Sequence, residues 1–295
     1  MKKKIIKAII FHVLLIGALI ITAFLLIPSV DAKEERAIGF QRAENTNLDI
    51  VCLGNSDLYS GYIPSLMYEK YGYLSYNSGK SKVLPHKVLE YAEKLYKYQN
   101  PELLIVEIDF LTGKPKKEGK NVFKKVYENH DFWRQKPNQE ILDLKGYVFS
   151  KDIVPLDKKN NEKLLKSHLG KINHKNFDIV LEIKSLCEKH NTKLMLLEMP
   201  SYTSWTDDLH NQVSSFAAEN EIDFLDLNYN DDFVSQYSFD SQNDFRDGGN
   251  HLNVYGAIKA TSYIGEYIQK YNITPNGQNK SFDKAVDLFY KKLNA

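Results

Sequence analysis

The sequence predicts a three-layer α/β/α domain on a five-stranded parallel sheet, with one transmembrane helix ahead of it. Three observations carry this. Five short apolar runs recur along the chain, punctuated by Gly, Pro and Asn. Stretches with helical period lie between them, and strands alternating with helices imply crossover connections and parallel pairing. Ahead of them all, a long apolar segment sits close to the amino terminus.

The chain opens Met-Lys-Lys-Lys-Ile-Ile-Lys, and Ala8 to Ile27 is almost wholly apolar, broken only by His12 and Thr22. About 20 residues rising about 1.5 Å each span the hydrocarbon core of a bilayer. Lys2, Lys3, Lys4 and Lys7 favour the cytoplasmic side, so the rest of the chain is expected outside. A cleaved signal peptide is the competing expectation. Val30-Asp31-Ala32 offers a small-residue cleavage site, but the apolar run is long for a signal sequence. Residues 1–28 therefore read as basic start and anchor, 29–47 as a charged linker, 48–272 as the α/β domain and 273–295 as a C-terminal amphipathic helix.

Within the domain, Leu48 to Leu53 reads as the first strand, rich in Ile, Val and Leu and broken at Gly54. A helix is expected over Tyr62 to Tyr71, with Pro64 in its first turn. Leu74 to Asn77 reads as a second strand, Val83 to Tyr98 as an amphipathic helix, and Leu103 to Asp109 as a third strand. Phe177 to His190 is a helix with Ile179, Val180, Ile183 and Leu186 on one side, stopped near Asn191. Lys193 to Met199 and Ile222 to Leu227 are the last strands, with a helix over Asp207 to Asn220 between them. Val254 to Tyr271 forms a long helix. The segment 112–175 interrupts this rhythm and is too long for a crossover loop, so it reads as an insertion or lid.

A net charge of +1 in 295 residues excludes a polyanion-binding domain of the nucleic-acid kind. Cys52 and Cys187 read as buried small hydrophobes. His86, His130, His168, His174, His190 and His210 lack ligand-like grouping, so neither a metal nor an organic cofactor is expected.

Two stretches carry the chemistry. In Gly54-Asn55-Ser56-Asp57 the serine lies on the loop between a strand's carboxyl end and the next helix, where open α/β sheets place their ligands. Taken alone, Ser56 reads equally well as a helix cap. The second stretch, Asp244-Phe-Arg-Asp247-Gly-Gly-Asn250-His251-Leu-Asn253, puts carboxylates shortly before a histidine. A serine hydroxyl needs a base to take its proton, and that base needs a third group to orient it. Ser56, His251 and an aspartate supply all three. Asp247 is preferred over Asp244, because Gly248-Gly249 allows a tight return.

These two blocks, in this order and almost a whole domain apart, resemble the Gly-Asp-Ser and Asp-x-x-His blocks of the SGNH/GDSL hydrolases. The resemblance covers roughly residues 48 to 270 and extends to members anchored in the membrane that modify cell-envelope polymers. It implies the strand order 2-1-3-4-5, Ser56 as nucleophile, His251 as base, and oxyanion donors at the Ser56 N–H and at Gly79; Asn77 or Asn55 is this chain's own candidate for the donor that the family pattern would place at Asp109. The chain departs from the pattern twice. Gly248 stands three before His251 where the family has its aspartate, and Asp109 stands where the family has a donor asparagine. Asn55, Trp205 and Trp133 are expected to bind substrate, the tryptophans by stacking on a sugar; packing roles are their alternative.

The expected function is an extracytoplasmic serine esterase or O-acyltransferase acting on a cell-envelope glycan or teichoic acid. A membrane-bound acyltransferase is a further expected partner. The alternative is an inactive domain that binds glycan or docks on such an acyltransferase.

Overall fold

The structure, a computed structural model, describes residues 2–26, 32–43, 46–113, 139–157 and 172–295. The chain divides into two units. One comprises residues 1–35 and 117–137, the other residues 36–116 and 138–295. The first holds α1 (Lys2–Leu26), whose Lys3–Thr22 stretch has a mean hydropathy of 2.5 and is long and apolar enough to cross a membrane.

In the second unit, five strands pair side by side: β1 (Ile50–Gly54), β3 (Leu103–Glu107) and β4 (Lys193–Glu198) are runs of Val, Ile, Leu and Met, while β2 (Ser75–Gly79) and β5 (Asp223–Asp226) are more polar. Every pairing is parallel, and the order is β2-β1-β3-β4-β5. The register sets Gly54 beside Gly79, Glu107 beside Leu197 and Glu198 beside Asp226, so these residues share the carboxyl edge of the sheet.

Side chains alternate across a strand, so each strand serves two cores. Ile50, Cys52, Ile105, Met195, Leu197 and Leu225 pack with Leu58, Leu66, Met67, Ala257, Ala260 and Ile264 on one face. Those residues come from α3 (Ser56–Gly61), α4 (Pro64–Tyr71) and α10 (Val254–Tyr267). Val51, Leu104, Val106 and Leu196 are equally buried on the other face. There α5 (Pro85–Leu95) lies against β1, α7 (His174–Lys189) against β4 and α8 (Asp207–Glu219) against β5. The result is the expected three-layer α/β/α domain. Both cysteines are free and buried.

Three differences from the sequence reading have physical causes. The helix after β1 begins at Ser56 itself, because the Asn55 side chain caps it by accepting from the Asp57 N–H at 2.7 Å. Residues from Arg36 to Ala43 fold onto the domain instead of serving as linker. Phe40 is fully buried there, and the Gln99 amide donates to the carbonyls of Phe40 (3.2 Å) and Ala43 (2.8 Å). The helix α9 (Asp231–Tyr237) was not legible as a separate element; Asn230 caps it and Phe233 anchors it. The C-terminal amphipathic helix expected over 273–295 is α11 (Lys280–Asn294), which docks on the domain through Phe282, Ala285 and Phe289. Most of the expected lid, including Trp133, lies outside the described residues; its described part, residues 139–157, includes the short helix α6 (Gln139–Asp143).

Candidate active site

β1 ends at Gly54, and the chain turns so that Ser56 opens α3, half-buried at the carboxyl edge of the sheet. Buried acids hold this turn. The Glu107 carboxylate accepts the Asn55 N–H (2.8 Å) and the Asp109 N–H (2.9 Å). The Asn55 amide donates to Asp109 Oδ2. Gly54 and Gly79 allow the close approach, since a Cβ on Gly54 would lie 2.6 Å from the Glu107 side chain and one on Gly79 2.6 Å from the Asn55 carbonyl.

The loop from Asp244 to Asn253 is closed as a small antiparallel ladder. Phe245 pairs with Leu252, and the Arg246 N–H donates to the His251 carbonyl at 2.9 Å. Asn253 caps α10, accepting from the Tyr255 (3.0 Å) and Gly256 (3.1 Å) N–H groups. At the tip, Gly248 (φ 81°) and Gly249 (φ 102°) take the left-handed conformation that glycine tolerates best. This bend folds Asp247 back onto His251. Asp247 Oδ1 accepts the His251 N–H at 2.7 Å and Oδ2 bonds Nδ1. The loop after β4 braces it, with the Tyr202 N–H on the Gly249 carbonyl (2.8 Å) and the Thr203 hydroxyl on Asn250 Oδ1 (2.7 Å).

The two blocks meet. His251 Nε2 lies 3.8 Å from Oδ1 of Asp57, the neighbour of Ser56 in the first turn of α3. Asp244 is turned elsewhere: it is buried and accepts from Lys259 Nζ (2.8 Å) and the Asp240 N–H (2.6 Å).

The other expected site residues divide. Gly79 lies beside the turn, its N–H donating to Asn77 Oδ1 at 3.1 Å. Asn77 is fully buried and its amide is spent on the carbonyls of Leu58 and Tyr62, both at 2.9 Å, so it has no proton to offer an oxyanion. Asn55 is a cap and acid-binding residue. Trp205 is only 5% exposed, with its indole N–H on Asp226 Oδ2 at 2.7 Å. It is a packing residue and presents no open face for a sugar. Among the described residues no group of three His, Cys, Asp or Glu is arranged to hold a metal.

The electrostatics of the site are unusual. Burial pushes the Asp57 carboxyl up to about 6, with His251 and Asn55 opposing. Burial, then the charge of Asp57, push Asp109 up to about 7, against Asn55 and His251. Burial, then the charges of Asp109 and Asp57, raise Glu107 well above the carboxylate range; burial, then Glu107, Asp109, Asp226 and Asp57, do the same to Glu198. Asp247 goes the other way. Burial would raise it, but its two bonds to His251 outweigh that and hold it below its ordinary value. The orienting carboxylate is thus ionised, while the buried Glu107 and Glu198 favour their protonated forms.

Sequence reasoning passed over Asp57, Ser60 and Arg246. Asp57 follows Ser56 directly, and Arg246 precedes Asp247. Ser60 sits one helical turn beyond Ser56 and donates to its carbonyl at 2.7 Å, while Arg246 Nη2 donates to Ser60 Oγ at 2.9 Å. Their positions within the two blocks were the available signal.

Fold and site together define an α/β domain with a serine, a histidine and an aspartate gathered at one sheet edge. No protein-family model matches the chain, and no curated protein does. Among solved structures it is similar to a GDSL-like lipase from Bacteroides thetaiotaomicron, at 13% identity over 80% of this chain and 99% of that one, with a TM-score of 0.42. It is also similar to the Clostridium thermocellum family 3 carbohydrate esterase (13% identity, 76% and 96% covered, TM-score 0.43). A third is the lipase/acylhydrolase from Enterococcus faecalis (10% identity, 78% and 100% covered, TM-score 0.43). At these scores the likenesses carry no weight in assigning roles, which rest on the contacts above.

Proposed function

We propose that the chain is a membrane-anchored, extracytoplasmic serine esterase or O-acyltransferase of the SGNH/GDSL kind. Its substrate is an acyl ester on a cell-envelope polysaccharide or teichoic acid, with a membrane-bound acyltransferase as a partner. Ser56 Oγ attacks the ester carbonyl while His251 takes its proton. The carbon–oxygen bond to the alcohol breaks as His251 returns that proton to the departing oxygen, leaving acyl-Ser56. Water, deprotonated by the same imidazole, then releases a carboxylic acid; a polymer hydroxyl in its place yields a transferred ester. Asp247 holds the imidazole with Nδ1 protonated, and Nε2 acts as the base once the Asn250 amide, 3.3 Å from it, gives way. The N–H of Ser56 at the helix start is the first oxyanion donor, and Gly79 is the second once its N–H leaves Asn77.

The observation that carries this reading is the doubly bonded Asp247–His251 pair, with its imidazole edge reaching the α3 turn that begins with Ser56. The test is covalent labelling of the folded protein by a fluorophosphonate. Labelling that disappears in Ser56→Ala supports the esterase. Unlabelled protein sinks it and favours a second reading, an inactive glycan-binding or acyltransferase-docking domain. That second reading draws on one feature, Asp109 in the place of a donor asparagine and hydrogen-bonded to Asn55.

A further inference from the structure

α3 carries two cations on the same side as its serine. Residues three and four positions on from Ser56 lie over it on the helix surface. These are Tyr59 and Ser60, and each holds an arginine. The Arg36 guanidinium stacks over the Tyr59 ring, with Cζ 4.1 Å from its centroid, and Arg36 Nε donates to the Gly79 carbonyl at 3.1 Å. Arg246 Nη2 donates to Ser60 Oγ at 2.9 Å. The two arginines come from distant parts of the chain, one following the anchor and one in the histidine loop.

Neither arginine makes an ion pair among the described residues. Each guanidinium has five N–H donors, and each uses one in the bonds above. Burial works against the Arg36 charge and Arg246 adds to that, so the two sit within each other's field. Asp57 and Asp247 feel Arg246, but neither is paired with it: Asp247 spends both oxygens on His251, and Asp57 Oδ1 faces His251 Nε2 at 3.8 Å. Two like charges kept together, partly out of water and with no carboxylate bonded to either, call for an anion. Paired guanidiniums fit the fork of a phosphate or carboxylate.

We propose that Arg36 and Arg246 form an oxyanion-binding cradle beside Ser56, so that the ester it attacks is carried on an anionic molecule. Resting on the serine-esterase reading, this assigns the substrate class: an O-acyl group a few bonds from a phosphate or a carboxylate. The anion docks over Tyr59 and Ser60, and the ester carbonyl reaches back one turn to Ser56. A neutral acylated sugar would leave both guanidiniums unmatched.

Two measurements on the full chain in detergent test it. First, inorganic phosphate is titrated into the protein calorimetrically. Binding that weakens about tenfold or more in both Arg36→Gln and Arg246→Gln supports the cradle, and absence of binding to the wild type overturns it. Second, kcat/KM is compared for O-acetylglycerol, O-acetylglycerol phosphate and O-acetylglycerate. A wild-type preference of about tenfold or more for one anionic ester supports the assignment and says which anion is taken. Equal values for all three overturn it, without any variant having to fold. If none of the esters turns over, the esterase reading falls, while the phosphate titration still decides whether the cradle exists.

Discussion

Asp247 grips His251 at two points, the backbone N–H and ring Nδ1. A carboxylate bonded in both ways sets the position of the residue as well as the tautomer of its ring. It also fixes which aspartate matters, because Asp244, only three residues earlier, is committed to Lys259.

Asp247→Asn is therefore expected to lower kcat for ester hydrolysis by about 10²- to 10⁴-fold, since an amide favours the wrong imidazole tautomer. Asp244→Asn acts on stability instead. It breaks a buried charge pair and is expected to cost about 1–3 kcal/mol. Steady-state kinetics and denaturant unfolding of the two variants separate the effects.

The buried acids tie stability to pH. Asp57 and Asp109 are raised to about 6 and about 7 from ordinary carboxylate values, burial being the first cause of each. The folded protein therefore holds protons that the unfolded chain has released, and stability falls as pH rises from about 4 to 7. The midpoint of thermal unfolding is expected to be higher at pH 5 than at pH 8, on the order of 5 °C. A midpoint that rises over this interval would contradict the burial of charge at this edge.

Asp109→Asn tests the departure from the family pattern. Above pH 7 the wild-type carboxyl loses its proton and becomes an acceptor only, next to where an oxyanion would form. An amide there keeps a donor at every pH. The variant is expected to gain activity about tenfold at pH 8.5 and little at pH 6, read from pH–rate profiles.

Gly79→Ala should disturb the nucleophile turn directly. The added Cβ would lie 2.6 Å from the Asn55 carbonyl and 2.9 Å from the Tyr59 N. Backbone cannot yield as a side-chain tip can, so a loss of about 1–3 kcal/mol is expected, together with reduced fluorophosphonate labelling of Ser56.

Trp205→Phe should lower stability by about 1 kcal/mol, because Asp226 loses the indole N–H, and leave KM for a saccharide ester unchanged. A large rise in KM would restore Trp205 as a sugar platform.

Much of this was legible in the linear chain. The three central strands are local runs of apolar, partly β-branched residues, and the helices alternate with them at their own period, so the layered fold followed. Ser56 and His251 stood out because each lies in a short polar block between regular elements. The caps were less visible: Asn55 opens its helix six residues before the periodic pattern suggests, since a cap depends on one side-chain bond. Phe40 was lost among charged neighbours, and its carbonyl is met by Gln99, four residues beyond the end of α5.

Local preference, which is written into neighbouring residues, was enough to determine the parallel α/β architecture, the apolar helix and the identity of the serine and histidine blocks. Tertiary structure alone decided that the Asn77 amide and the Trp205 indole are spent inside the fold, and that Arg36 and Arg246 converge on one turn of α3. Those outcomes depend on where residues up to about two hundred positions apart come to rest and on which donors the packing has already consumed. Spacing along the chain encodes neither.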